Sequence, residues 1–214
     1  MMDSHGFNLW AGNYDKSVNV TDDDNEYPFA GYKELMNDIF NKAMNEKPET
    51  VLDIGIGTGT LAYKLYENGI QLTGIDFSKE MLDIAKEKMP KATLIEHDFT
   101  NDLPLEVQNK RYDLIISTYA LHHLTDDEKA AFILRLLNQL NDDGVIIIGD
   151  VSFCSRNDLE NCKQSCGDEW DDDEFYFVFT ELEENLKKWC LLTYRQISHC
   201  AGILEIRPHS TIKS

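Results

Sequence analysis

Three glycines on alternate positions, Gly55, Gly57 and Gly59 in the stretch GIGTG, follow the apolar run VLDI and open a helical pattern. Glycines so spaced let a backbone turn tightly and approach a ligand with no Cβ in the way. The spacing discriminates between ligands. A dinucleotide loop places its third glycine five positions after the first, where a helix N-terminus meets a pyrophosphate. Here that position is Thr60, and the Gly-Lys-Ser/Thr of a phosphate loop is also missing. The loop suits a ligand that has no pyrophosphate.

Two acids stand at comparable places further on. Asp76 closes the run QLTGID, 21 residues after Gly55, where a carboxylate can accept both ribose hydroxyls in charge-assisted bonds. Asp98 ends the run ATLIEHD, where it can accept from an adenine amino group while Phe99 covers the ring face. Each feature alone has a structural alternative: a chance glycine loop, or an aspartate that begins a turn or caps a helix. On three successive strand ends they describe a nucleoside site. His122 and His123, in YALHHL, are the candidates for a general base. Adjacent residues in a regular conformation point apart, so one should face the pocket while the other holds the loop. His122 is the favoured base, against the alternative that both are structural.

These residues need a frame that gathers strand ends. Apolar spacing predicts a helix over 32–44, a buried strand over 51–54, a helix over 60–68 and a strand at QLTGID. A helix capped by Ser78, strands at ATLIEHD and YDLIISTY, a helix opened by a Thr125/Glu128 capping box and running to about 141, and a strand at GVIIIGDV follow. Near-continuous apolar strands separated by amphipathic helices predict an α/β fold with a doubly wound, mostly parallel sheet covered on both faces. Beyond Ser155 a helix over 158–166, an acidic loop, a second capping box at Thr180/Glu183 opening a helix to about 190, and two antiparallel strands, LLTYRQIS and GILEIRP, complete the chain.

Charge narrows the partners. The 214 residues carry 39 acids against 20 bases, a net charge of −19, which repels phosphate backbones and speaks against nucleic acid. The acids cluster in TDDDNE and GDEWDDDE; solvated loops are the plain reading, and cation binding or substrate gating by 168–174 the alternative. Five cysteines, an odd number, indicate free thiols in a reducing compartment. Cys162 and Cys166 share a helix face but lack a histidine at ligand spacing, so no metal is assigned. Neither a signal peptide nor a membrane-length apolar run is visible, which predicts a cytoplasmic protein. Nothing in the sequence indicates an oligomeric state.

With these motifs in this order, the sequence resembles the class I S-adenosylmethionine-dependent methyltransferases, from about Trp10 to the C-terminus and most closely over 51–150. VLDIGIGTG, GIDFSKEML, EHDF, YDLIISTYALHHL and LNDDGVIIIGD resemble the family's five motifs. Within the family the chain is similar to small bacterial methyltransferases of unassigned substrate, which share the element seen here as WAGNYD and the stretch HHLTDDEK. The resemblance implies a Rossmann-like, seven-stranded sheet with an antiparallel last strand. It also implies one domain, with a helical cap over 1–48, a cofactor-binding core over 49–151, and acceptor-side helices and a strand pair over 152–214. S-adenosylmethionine is the implied cofactor. Gly55, Gly57 and Gly59 would line its methionine portion and ribose, and Asp53 would brace the loop near its amino group. Asp76 would take the ribose hydroxyls, Phe77 and Met81 would flank the adenine, and Asp98, with Phe99 beside it, would take the adenine amino group. Ser117 and Tyr119 would face the cofactor, and Tyr14 would close over it. STYA stands where enzymes that methylate base amines carry Asn/Asp-Pro-Pro-Tyr/Phe, so a small-molecule acceptor is expected, in a pocket built from 13–32 and 153–179 with aromatics such as Tyr27, Tyr32, Trp170 and Tyr176. Two other readings remain at this point: a non-catalytic S-adenosylmethionine-binding protein, and an NAD(P)-dependent oxidoreductase.

Overall fold

Strands that are apolar on both faces must be buried on both faces, and the inner strands of the sheet are the ones so composed. In the computed structural model, which describes residues 26–209, β1 (Thr50–Ile54), β2 (Gln71–Asp76), β3 (Thr93–Glu96), β4 (Tyr112–Thr118) and β5 (Leu140–Phe153) run parallel. β7 (Cys190–Gln196) and β8 (Ala201–Pro208) form a hairpin, and β8 lies antiparallel between β5 and β7. The strand order is β3-β2-β1-β4-β5-β8-β7. The chain winds outward from β1 to β3, then returns to place β4 on the other side of β1. A switch of this kind leaves a crevice at the carboxyl ends of β1 and β4.

Alternate residues of the central strands enter two separate cores. Val51, Leu114, Ile116 and Ile147 face α1 (Tyr32–Glu46), α2 (Thr60–Glu67) and α3 (Lys79–Lys88). Leu52, Ile54, Ile115 and Ile148 face α5 (Asp126–Leu137) and α7 (Phe179–Leu186). Between these lie the one-turn α4 (Leu105–Gln108) and α6 (Arg156–Cys166). α1 buries Leu35, Met36, Ile39 and Ala43 and presses on β5 at Gly149. A Cβ there would stand 2.5 Å from Ile39 Cδ1 and 2.6 Å from Leu35 Cδ2. This contact holds α1 against the sheet, over the switch point.

The structure departs from the sequence reading at several element boundaries. The sheet has eight strands among the described residues rather than seven, because the two-residue β6 (Phe177–Val178) pairs with Ser152 and Phe153 at the end of β5. That pairing feeds the chain straight from strand into helix, so α7 begins at Phe179 with Val178 as its cap and no side-chain cap bond. The capping box expected of Thr180 and Glu183 does not form; Thr180 N–H, already inside the first turn, donates to Cys154 O at 3.2 Å. α7 ends at Leu186, and Cys190 starts β7 rather than closing the helix. α5 likewise stops at Leu137, because Leu140 is taken into β5 opposite Tyr112, across an irregular register. The other two capping expectations hold: Ser78 Oγ accepts from Met81 N–H at 3.2 Å, and Thr125 and Glu128 form a reciprocal box.

Candidate active site

A cleft opens at the switch point. Its walls are Asp53 of β1 with Gly55 and Gly57 beyond it, Asp76 at the end of β2 with Phe77, Met81 of α3, Phe99 beyond β3, Thr118 at the end of β4 with Tyr119 and Ala120, and Tyr32 and Met36 of α1. The geometry is organised by Asp76, which is buried. Its Oδ2 accepts the N–H of Gly57 and its Oδ1 that of Ser78, each at 2.8 Å. Burial pushes its carboxyl above the ordinary carboxylate range, and the N–H groups of Ser78, Gly57 and Phe77 pull it back. A carboxylate offers about four lone-pair sites, and the three backbone N–H groups do not take them all, so room is left for a hydroxyl donor. Gly57 has φ +55° and nothing within 4 Å of where its Cβ would stand. The backbone there lies open to an incoming molecule.

Asp53 completes this wall. It is 3% exposed, and its Oδ1 has no hydrogen-bond partner among the described residues. Burial, and then the charge of Asp76, push its carboxyl well up. A buried carboxylate oxygen without a donor is costly, and a cation or N–H donor entering the cleft would relieve that cost. Tyr119 stands opposite with φ +48°, a left-handed conformation that strains a bulky residue. Its N–H donates to Gly149 O at 2.9 Å, and its ring lies 5.2 Å from Phe29 and 5.4 Å from Tyr32.

Several expected residues serve the cleft from behind. Gly59 is the cap of α2 and meets α3, where a Cβ would come within 2.6 Å of Met89. Ser117 is buried, and its Oγ donates to Ile54 O at 2.9 Å, tying β4 to β1. Asp98 is exposed because β3 ends at Glu96; its Oδ1 accepts from Thr100 N–H at 2.9 Å and Thr100 Oγ–H at 2.7 Å, so the aspartate begins a turn. Phe99, its neighbour, is buried and does line the cleft. Tyr14 lies outside the described residues.

His122 and His123 occupy a one-turn helix, Leu121–His123. His122 Nδ1 lies 2.7 Å from Asp150 Oδ1. Asp150 is fully buried and also accepts from the N–H groups of Leu121 and Val151. His123 lines the cleft, and its Nδ1 is 2.9 Å from Glu174 Oε2. It is His123, not the favoured base His122, that lines the cleft, yet the two rings do not point apart as in a regular element. They stand 4.4 Å apart, and His122 Nε2 is 4.0 Å from the same Glu174 oxygen. The tight turn is not a regular helix or strand, and Glu174 arrives between the rings from a segment 51 residues away. Burial lowers the His122 pKa, but the Asp150 and Glu174 carboxylates outweigh it and raise it overall.

The sequence reading missed Asp150, Glu174 and Lys129. Asp150 ends an apolar strand as Asp76 does, so the same signal was present. Lys129 precedes Phe132 and Ile133 by three and four positions, which places it on the buried face of α5. It is 1% exposed, donates to Asp126 at 3.1 Å and to Phe175 O, and lies 4.8 Å from the Phe177 ring centre. Among the expected pocket aromatics, Tyr27 and Tyr176 are core residues. Tyr27 stacks on Trp170 at 5.3 Å, and its hydroxyl bonds that of Tyr176.

The sequence and the fold have counterparts among known proteins. Residues 51–144 match the family model described as "Methyltransferase domain". An uncharacterized methyltransferase of Bacillus mycoides is 41% identical over 152 residues, 71% of this chain and 68% of that one. A solved S-adenosylmethionine-dependent methyltransferase of Clostridium acetobutylicum superposes with a TM-score of 0.70 at 18% identity, covering 91% of this chain and 98% of that one. The magnesium protoporphyrin IX methyltransferase of Synechocystis, solved with bound S-adenosylhomocysteine, gives 0.67 at 19% identity and 85% coverage of both. Among the described residues no helix is long and apolar enough to cross a membrane.

Proposed function

The chain belongs to the methyltransferase family, and from that premise we propose that it moves a methyl group from S-adenosylmethionine to a small-molecule acceptor. The carrying observation is the pair of buried acids on neighbouring strand ends, Asp53 with an unpartnered oxygen and Asp76 anchored by backbone N–H groups, lining one cleft. A donor bearing an ammonium group, a ribose diol and an adenine, with no pyrophosphate, matches that wall. Asp53 would meet the ammonium and Asp76 the diol. Phe77, Met81 and Phe99 would enclose the adenine, with Gly57 allowing close passage. Asp98 is outside this assignment, because it is exposed and does not line the cleft.

When bound, the sulfonium supplies a methyl group activated for in-line displacement, the S–C electron pair staying on sulfur as the acceptor bond forms. The protein's part is geometry. Alignment of two reactants can supply about 7–11 kcal/mol of a barrier. Tyr119, clamped by Gly149 and flanked by Phe29 and Tyr32, roofs the cleft against water. The His122–His123 turn forms the acceptor wall, with residues 26–48 and 152–209 acting with the core as one domain. A small acceptor fits the net charge of −19 and has a parallel in the porphyrin named for the Synechocystis neighbour.

Calorimetry with S-adenosylmethionine and NAD, followed by incubation of labelled donor with a metabolite extract and with bulk RNA and DNA, tests the proposal. Donor binding and label in a small product are expected. NAD binding without S-adenosylmethionine binding would overturn the donor, and label in nucleic acid the acceptor.

A further inference from the structure

We propose that His122, His123 and Glu174 form a site for one divalent transition-metal ion on the acceptor wall of the cleft. Calling that wall the acceptor side rests on the methyl-transfer reading; the site itself does not. The three ligand atoms, one from each residue, lie within 4.8 Å of one another. A tetrahedral ion with bonds of ~2.1 Å holds its ligands ~3.4 Å apart, so side-chain shifts of about 1 Å close the set. Two imidazoles and a carboxylate suit zinc, iron or manganese rather than the all-oxygen surroundings preferred by calcium or magnesium.

The arrangement around the ligands is that of a built site. The Asp150 carboxylate can only accept, so His122 presents Nδ1–H to it and turns Nε2 toward Glu174. A carboxylate behind an imidazole is the usual device for fixing a ligating histidine. Asp150 is itself 0% exposed and held by two backbone N–H groups. On the other side, a proton now links His123 Nδ1 to Glu174 Oε2 at 2.9 Å, and an ion would take that proton's place. Glu174 is brought there by the main chain, since Phe175 N–H donates to His122 O at 2.8 Å and Phe175 O accepts from Lys129. The side chains of His122, His123 and Glu174 are 15%, 18% and 15% exposed, sheltered but reachable. The buried ammonium of Lys129 is already held by Asp126 and the Phe175 carbonyl. Because His123 also lines the cleft, a remaining coordination position would open onto it.

The full chain, stripped with a chelator and titrated with Co²⁺, gives the test. Visible ligand-field bands should saturate at one ion per chain and vanish on addition of Zn²⁺. Glu174→Gln should displace the midpoint tenfold or more, and Asp150→Asn by about 10–100-fold, while Glu174→Gln keeps its thermal melt and its S-adenosylmethionine affinity. Should Glu174→Gln fail to fold, His122→Gln is held to the same tenfold criterion. Absent bands, or a displacement below tenfold, overturn the site. Co²⁺ binding without methyl transfer would leave the site standing and remove the functional reading; methyl transfer without Co²⁺ binding would do the reverse.

Discussion

Asp76 Oδ2 accepts the backbone N–H of Gly57 at 2.8 Å, so the last residue of β2 fixes the turn that leaves β1. The same side chain, through Oδ1 and Ser78, also fixes the start of α3. One carboxylate therefore shapes two walls of the cleft before any ligand arrives.

Asp76→Ala should accordingly do two things. Loss of charge-assisted bonds to a ribose, worth about 1.5–3 kcal/mol, should weaken S-adenosylmethionine binding roughly 10–150-fold. The freed N–H groups of Gly57 and Ser78 should also lower the melting temperature, each unsatisfied buried donor costing about 1–3 kcal/mol. Calorimetry and a thermal melt on the same preparation check both. Full affinity in the variant would remove the ribose assignment.

Asp53 predicts the opposite sign for stability. Its folded pKa is raised, by burial and by Asp76, so the native state binds more protons than the unfolded state between the unfolded value of ~3.9 and the raised one. Stability falls as pH rises through that window. Asp53→Asn lacks this penalty. The variant's melting temperature should overtake that of the wild type as pH climbs from about 4 toward neutrality, while its affinity for the donor drops. Melts that run parallel across this range would contradict the buried, unpartnered state of the carboxylate.

Gly149 predicts a purely steric effect. A Cβ there would enter the space of Leu35 and Ile39 of α1, and overpacking of this kind costs about 1–3 kcal/mol. Gly149→Ala should lose that much in denaturant titration and recover part of it when Ile39→Val is added. A cost that Ile39→Val leaves unchanged would mean that α1 does not press on β5 at this point.

How much of this was legible in the sequence depended on whether the signal was local. Gly57, Asp76 and Ser78 announce themselves because a turn, a strand end and a helix cap are each decided within a few residues. Phe99 stood out as the aromatic beside a strand-end acid, whereas Asp53 and Met81 became visible through the order of the family's motifs. Asp98 could not be placed, because whether an aspartate after a strand begins a turn or meets a ligand depends on where the strand stops, and β3 stops at Glu96. The convergence of His122 and His123 on Glu174 was beyond reach, being made by a contact across 51 residues. β6 was missed for the same reason, since two residues have no periodicity of their own and gain strand character only by pairing with β5.

The two capping patterns show the limit most directly, and they can be measured. Thr125 and Thr180 both precede a glutamate by three positions, at the start of an amphipathic run. Thr125 Oγ accepts from Glu128 N–H while Glu128 accepts from Thr125 N–H at 2.8 Å. Thr180 is exposed one residue inside α7, with its N–H satisfied by Cys154. Thr125→Ala should therefore cost about 0.5–2 kcal/mol, and Thr180→Ala should stay within about 0.5 kcal/mol of zero. Paired urea titrations resolve a difference of that size. Equal costs would mean that α7 is capped by Thr180 after all, and that the β6 pairing which displaces the cap is not formed in solution.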